Sequence, residues 1–452
     1  MNIIPKLKNV HFLSLLGTGG MSVLIFVFTA ILYRSLSVAD MGIWFFFQTM
    51  LSFLDTFRQG FLTTAFIKFY SGTTEERGKE VIGSTWFIAS TITLIFILVN
   101  IPILFFLSYV KDESLSYFLK YFALNLLFSL PMIIAMCITQ GELRFDRLLY
   151  IRVTQVLLLI IFLVGLIFFK LNNLQNLMMA NLASSLITSL LTIFMGWSGI
   201  KFFFAKSKAC IKELFDFGKY TVGTSISSNL FGVTDTFVIN FMLSPSSLAI
   251  YNLGRRLMEV VEIPLRSFVA TAMPSLSKAF NIGDRAQVIY IMKKYIGMIT
   301  IALIPISIIA YLFAGIAMSL IGGGQYKGTV AGMEAVNIFR ICIAFSLFYP
   351  LDRFMAVTLD AIHKPQVNFV KIIVMLAVNF LSDIIGIYIF GNIYGVVVGA
   401  VFPILAAIII SNYVIQKDYH KFSIIDIYFL GYKELKSLIS STFKNFRKQG
   451  TI

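Results

Sequence analysis

Apolar runs of about twenty residues recur along the whole chain, and only short polar breaks separate them. A helix of this length is what a polypeptide needs to cross roughly 30 Å of hydrocarbon. The pattern therefore predicts an all-α membrane protein with short connections and no inserted extramembrane domain. The polar breaks place twelve transmembrane helices at residues 11–33, 42–67, 82–109, 118–139, 150–169, 176–198, 218–241, 249–275, 289–316, 332–359, 366–390 and 393–415.

The composition agrees with a membrane protein. Of 452 residues 58% are hydrophobic and 13% are charged, whereas a soluble protein carries about 25% charged residues. Cys137, Cys210 and Cys342 are far apart, which favours neither a disulfide framework nor a zinc site, and no cofactor motif is visible. The first apolar run is as long as a full span and lacks a small-residue cleavage site, so we interpret it as span 1.

The positive charges are distributed unevenly around the predicted spans. The chain carries a formal net charge of +15, and most Lys and Arg residues lie on the side that holds both termini. By the positive-inside rule, both termini are expected in the cytoplasm. Topology thus explains the charge without a nucleic-acid partner. The opposite side holds only Arg34, Lys111, Lys120, Lys170 and Lys327.

The longest polar segment is the tail after Gln416. Apolar residues recur there at helical spacing among lysines and arginines, which predicts a basic amphipathic helix on the surface of an anionic bilayer. Docking to a partner is the alternative. The apolar positions are Leu435, Leu438, Ile439, Phe443 and Phe446.

Six spans in each half predict two lobes that lie the same way up in the membrane, as a parallel internal repeat requires. A shift of 207 residues aligns Leu36-Ser37 with Leu243-Ser244, just before spans 2 and 8. The predicted organisation is an N-terminal lobe at 1–205, a C-terminal lobe at 206–416 and the tail at 417–452.

Equivalent polar stripes support the repeat. Span 8 contains charged residues at i, i+4, i+7 and i+11, which is one face of a continuous helix. These residues are Arg255, Glu259, Glu262 and Arg266. The same shift brings them onto span 2 at Gln48, Ser52, Asp55 and Gln59.

Such a stripe is not expected to face lipid, because each charge at the centre of a span costs about 2.5–3.5 kcal/mol. One hypothesis is internal neutralisation, with Arg255 pairing with Glu259 and Glu262 with Arg266. The other is a water-filled cavity lined by spans 2 and 8, and Arg256, which has no partner on the stripe, favours it. The candidate substrate-binding cations are Arg58, Arg255, Arg256 and Arg266. The candidates for coupling to a cation, Na⁺ or H⁺, are Asp55, Glu259, Glu262 and Asp235.

Several segments resemble a known family. Leu36 to Trp44 leads into span 2, Leu214 to Tyr220 opens span 7, and Ala272 to Ser277 closes span 8. These segments are similar to those of the polysaccharide biosynthesis flippases, which export O-antigen and other lipid-linked oligosaccharides. That family shares a superfamily with the lipid II flippase and the multidrug and toxic compound extrusion transporters.

The resemblance implies two six-helix lobes around a central cavity, alternating access and no enzymatic activity. The implied substrate is an undecaprenyl-diphosphate-linked oligosaccharide, and the implied partners include a polysaccharide polymerase and glycosyltransferases. In the lipid II flippases, arginines on spans 1, 2 and 8 serve the diphosphate. Arg58, Arg255 and Arg256 correspond by span, but span 1 of this chain has no internal arginine.

Two other functions stay open from the sequence. A cation-coupled multidrug antiporter would share the fold, although an arginine-rich stripe suits cationic substrates poorly. A membrane-embedded polysaccharide polymerase or acyltransferase is the enzymatic alternative. Such enzymes usually need a long outer loop or a histidine placed for acid–base chemistry, and the chain shows neither feature.

Overall fold

The computed structural model describes the backbone of residues 10–449. Side chains 10–19, 220, 223, 224, 227, 228, 260, 261, 263, 264, 266, 267, 270, 438, 439 and 441–449 lie outside the described part. The described backbone is α-helical, with short turns and 3₁₀ segments between the helices. The helices are α1 (Val10–Ser35), α2 (Val38–Tyr70), α3 (Glu75–Phe105), α4 (Glu113–Gly141), α5 (Phe145–Phe168), α6 (Leu174–Phe194), α7 (Lys208–Met242), α8 (Pro245–Arg256), α9 (Glu259–Asn281), α10 (Arg285–Gly322), α11 (Val330–Phe345), α12 (Tyr349–Ala361), α13 (Pro365–Phe390), α14 (Tyr394–Gly399), α15 (Val401–Asp418) and α16 (Ile424–Gln449).

The predicted all-α membrane architecture is confirmed. Eight of the described helical segments are long and apolar enough to cross a membrane by length and composition. Each predicted span coincides with one helix or with two consecutive helices. Helical segments satisfy their own backbone hydrogen bonds, which lipid cannot do for them. The chain is therefore a multi-pass membrane protein.

Three predicted spans are interrupted. Span 8 comprises α8 and α9, span 10 comprises α11 and α12, and span 12 comprises α14 and α15. In span 10 a 3₁₀ turn at Ser346–Phe348 precedes α12, and Pro350 occupies the first turn of that helix. Proline is tolerated there because its missing N–H has no partner within the helix. In span 8 the helix stops at Arg256 and restarts at Glu259.

The packing divides the chain into two compact units. The first comprises Met1–Ala249 with Ile321–Gln325, and the second comprises Ile250–Leu320 with Tyr326–Ile452. This boundary is a property of the packing, whereas the boundaries after 205 and 416 come from the sequence repeat and the tail, and they stay a prediction.

In the first unit, α2 packs along α7 and α4. Glycine makes the close approach of α7 possible, since a Cβ atom on Gly218 would lie 2.6 Å from the ring of Phe61. The apolar core between these helices and α3 includes Leu62, Phe66 and Trp86. The Trp86 indole donates to the carbonyl of Ser198 at 2.8 Å. This packing fixes the rotation of α2 about its axis.

The start of the repeat has the same local geometry in both copies. The Ser37 hydroxyl accepts from the backbone N–H of Asp40 at 3.1 Å, and the Ser244 hydroxyl accepts from that of Ser247 at 3.1 Å. The equivalent caps at the next helices are Thr74 and Asp284, which are 210 residues apart. The second copy is therefore three residues longer than the first between these caps, and the extra length lies in the stretch that contains the α8–α9 interruption.

Within the second unit, α13 contains a buried ion pair with α12. The Lys371 ammonium donates to Asp352 at 3.0 Å, and the two side chains are 4% and 13% exposed. Lys371 lies near the start of predicted span 11. The residue lies inside the helix packing because Asp352 neutralises it.

The tail forms helix α16, which crosses α10 within the same unit. Gly297 and Gly431 bring the two backbones together, since a Cβ on Gly297 would lie 2.1 Å from the carbonyl oxygen of Ile427. Glu434 accepts from Lys294 and from the Tyr290 hydroxyl, both at 2.7 Å. The predicted helix is present, and its described part is docked on α10. The apolar positions 438, 439, 443 and 446 lie outside the described side chains.

Candidate functional site

The polar stripe of α2 lines a cavity inside the first unit. The cavity has a volume of about 210 Å³ and is enclosed by residues of α2, α4, α5 and α6. We call it the first-unit cavity. Its lining residues are Gln48, Leu51, Ser52, Asp55, Gln59, Asn125, Ser129, Met132, Ile133, Met136, Gln155, Asn181 and Ser185.

The first-unit cavity has a buried floor and an accessible rim. On α4 and α6 the polar side chains are buried, with Asn125 3% exposed and Asn181 6% exposed. On α2, Ser52 and Gln59 are exposed and Asp55 is partly exposed. The cavity is therefore accessible along the polar stripe of α2 and is bounded by buried side chains of α4 and α6.

Arg58 lies beneath the cavity in the helix packing and is completely buried. Its guanidinium donates through Nε to Asp55 at 3.0 Å, and Nη2 makes a further contact with the same carboxylate. Nη1 donates to the Leu126 carbonyl at 2.6 Å, and Nη2 donates to the Ser129 hydroxyl at 2.8 Å. Arginine suits this position because its planar fork can bond a carboxylate and neighbouring groups together.

The structure thus places Arg58 in the interior of the first unit and not on an accessible wall. Its charge is neutralised by Asp55, three residues earlier on α2. In this arrangement Arg58 holds the Asp55 carboxylate in place at the cavity. Among the predicted cations it is a positioning residue, and its direct contact with an anionic substrate stays untested.

Five carboxamide side chains line the cavity and make no hydrogen bond to protein within the described residues. Within the described residues, no side chain among Gln48, Gln59, Asn125, Gln155 and Asn181 makes a hydrogen bond to another residue. The Nδ2 group of Asn125 is buried and has no hydrogen-bond partner in the described part of the chain. A buried amide without a partner costs about 1–3 kcal/mol, so the Asn125 amide requires water or a ligand.

In the second unit, the charged stripe of span 8 is divided by the interruption between α8 and α9. Arg255 is exposed at the end of α8, where its guanidinium lies 5.2 Å from the ring of Tyr251 and donates to the Tyr251 hydroxyl at 2.7 Å. Glu259 and Glu262 occupy the first turn of α9. Negative side chains are favourable there because the N-terminus of a helix carries partial positive charge.

The predicted pairing of this stripe needs a correction. Arg256 was expected to have no partner, but its Nη1 donates to Glu259 at 2.9 Å across the interruption. The prediction considered only pairs at i and i+4, whereas Arg256 and Glu259 are three residues apart, a spacing at which helical side chains also interact. Arg256 and Glu259 are 21% and 53% exposed, so the pair remains accessible to solvent or to a ligand.

The remaining predicted residues occupy different settings. Asp235 is buried on α7, and Glu262 is partly exposed on α9. The side chain of Arg266 lies outside the described residues. The structure therefore brings together Asp55 with Arg58 and Arg256 with Glu259, each as a local pair on its own stretch of chain.

The sequence interpretation missed the far wall of the first-unit cavity. Asn125 and Ser129 are four residues apart on α4, and Asn181 and Ser185 are four residues apart on α6. This spacing places each pair on one helix face. Two such pairs inside predicted spans were a usable signal, since polar groups in spans avoid lipid.

Together, the helical spans and the polar interior define a multi-pass membrane protein with a polar cavity. The comparisons agree. The chain belongs to the family described as "Polysaccharide biosynthesis protein", whose model matches residues 31–331. A sequence search of curated proteins finds no match.

Solved structures establish the fold. A lipid II flippase MurJ in an inward closed conformation is 16% identical, with a TM-score of 0.71 over 95% of this chain and 92% of that chain. An inward-facing multidrug resistance MATE transporter is 13% identical, with a TM-score of 0.68 over 93% and 96%. A Vibrio cholerae MATE transporter is 15% identical, with a TM-score of 0.54 over 93% and 97%. These neighbours are transporters and flippases, and the predicted fold class is confirmed.

Proposed function

We propose that this protein is a flippase that moves an undecaprenyl-diphosphate-linked oligosaccharide, an O-antigen or other surface polysaccharide repeat unit, across the bacterial inner membrane. It works by ion-coupled alternating access and catalyses no covalent reaction. Family membership supports a role in polysaccharide biosynthesis. The likeness to a lipid II flippase supports a fold suited to lipid-linked cargo.

One observation carries the choice of a diphosphate substrate. Arg255 is exposed beside Arg256 at an interruption within a predicted span. Arginine binds phosphate oxygens in a bidentate manner, and two arginines consecutive in the chain supply two positive charges for a diphosphate. A cationic drug would be repelled by the same pair, which argues against the multidrug antiporter.

We extend the proposal to the orientation of the protein in the membrane and to its partners. Both termini lie in the cytoplasm, and the glycan is supplied by glycosyltransferases and passed on to a polysaccharide polymerase. The coupling ion is Na⁺ or H⁺. The carboxylates proposed to serve the coupling ion are Asp55, Glu259, Glu262 and Asp235.

The test is transport by the purified protein in liposomes. An undecaprenyl-diphosphate-linked glycan with a fluorescent label on the sugar is added, and its appearance in the other leaflet is followed by quenching with an impermeant reductant. We expect Arg255→Ala and Arg256→Ala each to reduce the rate at least tenfold.

Arg340→Ala is the matched control, because Arg340 also stacks on a tyrosine of its own unit, 4.7 Å from the ring of Tyr311. Its rate should stay within twofold of the original protein. Equal rates for all three variants would refute the role of the arginine pair. No movement of the labelled lipid by the unaltered protein would refute the flippase itself.

A further inference from the structure

We infer that the first-unit cavity binds a neutral, hydroxyl-rich group, namely a sugar ring of the lipid-linked substrate. This inference rests on the proposed function and deepens it, because it separates the recognition of the glycan from that of the diphosphate. Three observations support it: the cavity has no net charge, its amides make no hydrogen bond to protein within the described residues, and its apolar surface and volume suit a sugar ring.

The first-unit cavity is electrically neutral. Asp55 is the charged residue of its lining, and the Arg58 guanidinium neutralises that carboxylate from below. A free diphosphate would meet a carboxylate with no exposed cation beside it. A free cation would compete with a guanidinium that already occupies the carboxylate. A neutral polar ligand avoids both penalties.

The amides supply the hydrogen-bonding groups that such a ligand needs. Each carboxamide offers a carbonyl acceptor and two N–H donors, which complements a hydroxyl group that donates and accepts at once. Gln48, Gln59, Asn125, Gln155 and Asn181 make no side-chain hydrogen bond to protein within the described residues. Ser52 and Ser185 add hydroxyl groups to the same wall.

The cavity also provides an apolar surface and enough space. Met132, Ile133 and Met136 lie on α4 among the polar lining residues, so the C–H face of a sugar ring finds apolar contact while its hydroxyls meet the amides. A volume of about 210 Å³ greatly exceeds the roughly 10–15 Å³ that one water molecule requires. One sugar ring with bridging waters fits this space.

The experiment compares two probes on the purified full-length protein in nanodiscs. One probe is undecaprenyl diphosphate, and the other is undecaprenyl diphosphate carrying a single N-acetylglucosamine. Equilibrium binding is measured for the unaltered protein and for Gln155→Met and Asn181→Leu, which remove amides at nearly constant volume. Gln416→Leu is the control, since its amide donates to Asn412 away from the cavity.

We expect the unaltered protein to bind the sugar-bearing probe at least tenfold more tightly. Each cavity variant should reduce this advantage about fivefold, which corresponds to one lost hydrogen bond, and leave the affinity for undecaprenyl diphosphate unchanged. If Asn181→Leu does not fold, Gln155→Met at the partly exposed wall decides the question. Gln416→Leu should retain the full advantage.

Four results would overturn the inference. Equal affinity of the unaltered protein for both probes would remove the sugar subsite while leaving the flippase proposal intact. Cavity variants that keep the full sugar advantage would place the subsite elsewhere. Binding of neither probe would contradict both proposals. The same proteins are titrated with NaCl against KCl, and a Na⁺-specific stabilisation lost in Gln155→Met would identify the cavity as a cation site.

Discussion

The buried pair of Arg58 and Asp55 makes a sharp prediction about stability. Arg58 is 0% exposed and donates five hydrogen bonds, two of them to Asp55. Replacing Asp55 by asparagine leaves the guanidinium buried without a counter-charge. Breaking a buried ion pair in this way costs about 3–5 kcal/mol. For a unit of this size the melting temperature should fall by about 6–20 °C.

The reverse substitution should cost less. In Arg58→Met the carboxylate that remains is 20% exposed at the cavity, where water can reach it. We expect a loss of about 1–3 kcal/mol from the hydrogen bonds to the Leu126 carbonyl and the Ser129 hydroxyl. The double variant removes both charges, so its destabilisation should fall short of the sum of the single variants by about 0.5–3 kcal/mol.

The protein carries a suitable reporter for this measurement. Its three cysteines are buried and form no disulfide, so a thiol-reactive fluorogenic dye signals unfolding. Changing Cys342 to serine leaves Cys137 and Cys210, both in the first unit, and restricts the signal to that unit. Exact additivity of the two single variants, or an unchanged melting temperature for Asp55→Asn, would refute the interpretation of Arg58 as a residue held by its counter-charge.

Two further predictions concern the docking of the tail helix α16 on α10. Gly297→Ala should loosen α16 and speed its hydrogen–deuterium exchange at least tenfold, because a Cβ there would lie 2.1 Å from the backbone of α16. Gly315→Ala, on the same helix, is the control: its Cβ would meet nothing within 4 Å, so exchange should be unchanged. Unchanged protection of α16 in Gly297→Ala would contradict the crossing of the two helices. Hydrogen bonds from Lys294 and Tyr290 lower the pKa of Glu434 below its ordinary value of 4.5, so this carboxylate stabilises docking above that pH and the stabilisation is lost as the pH falls through the lowered pKa. After correction for intrinsic pH dependence, the exchange rate of α16 should therefore rise below about pH 4.5. In Glu434→Gln the corrected rate should not depend on pH. The same rise in that variant would exclude Glu434 as the cause of the pH dependence.

Much of the helical architecture could be predicted because lipid leaves few alternatives. A segment such as 145–168 has to satisfy its own backbone hydrogen bonds, so its apolar length determines its structure. The interruption at 257–258 was harder to predict from the sequence. No proline or glycine occupies those two positions, and the nearby Gly254 packs closely on Ile338, a contact that only the tertiary fold creates.

The candidate site was recoverable in part. The stripe of α2 was identified from periodicity, but its partners on α4, α5 and α6 depend on how the helices rotate against one another. The missed partner of Arg256 had a simpler cause. Asp55 with Arg58, and Arg256 with Glu259, are pairs at i and i+3. Helical neighbours at this spacing interact as readily as those at i and i+4, whereas the stripe was interpreted through its i, i+4 contacts.

The matching helix caps at Ser37 and Ser244, followed by three additional residues in the second copy, have a consequence for how a duplicated segment diverges. The first copy forms one continuous helix, Val38–Tyr70, so its side chains hold fixed positions relative to one another. In the second copy the helix is interrupted between Arg256 and Glu259, which forms a joint between two helices. Backbone rotation at that joint can re-aim two guanidinium groups while the hydrogen bonds of both flanking helices stay intact. The first copy thus provides a helix of constant geometry, whereas the second provides a charged segment whose direction can change, a difference that two identical copies could not have.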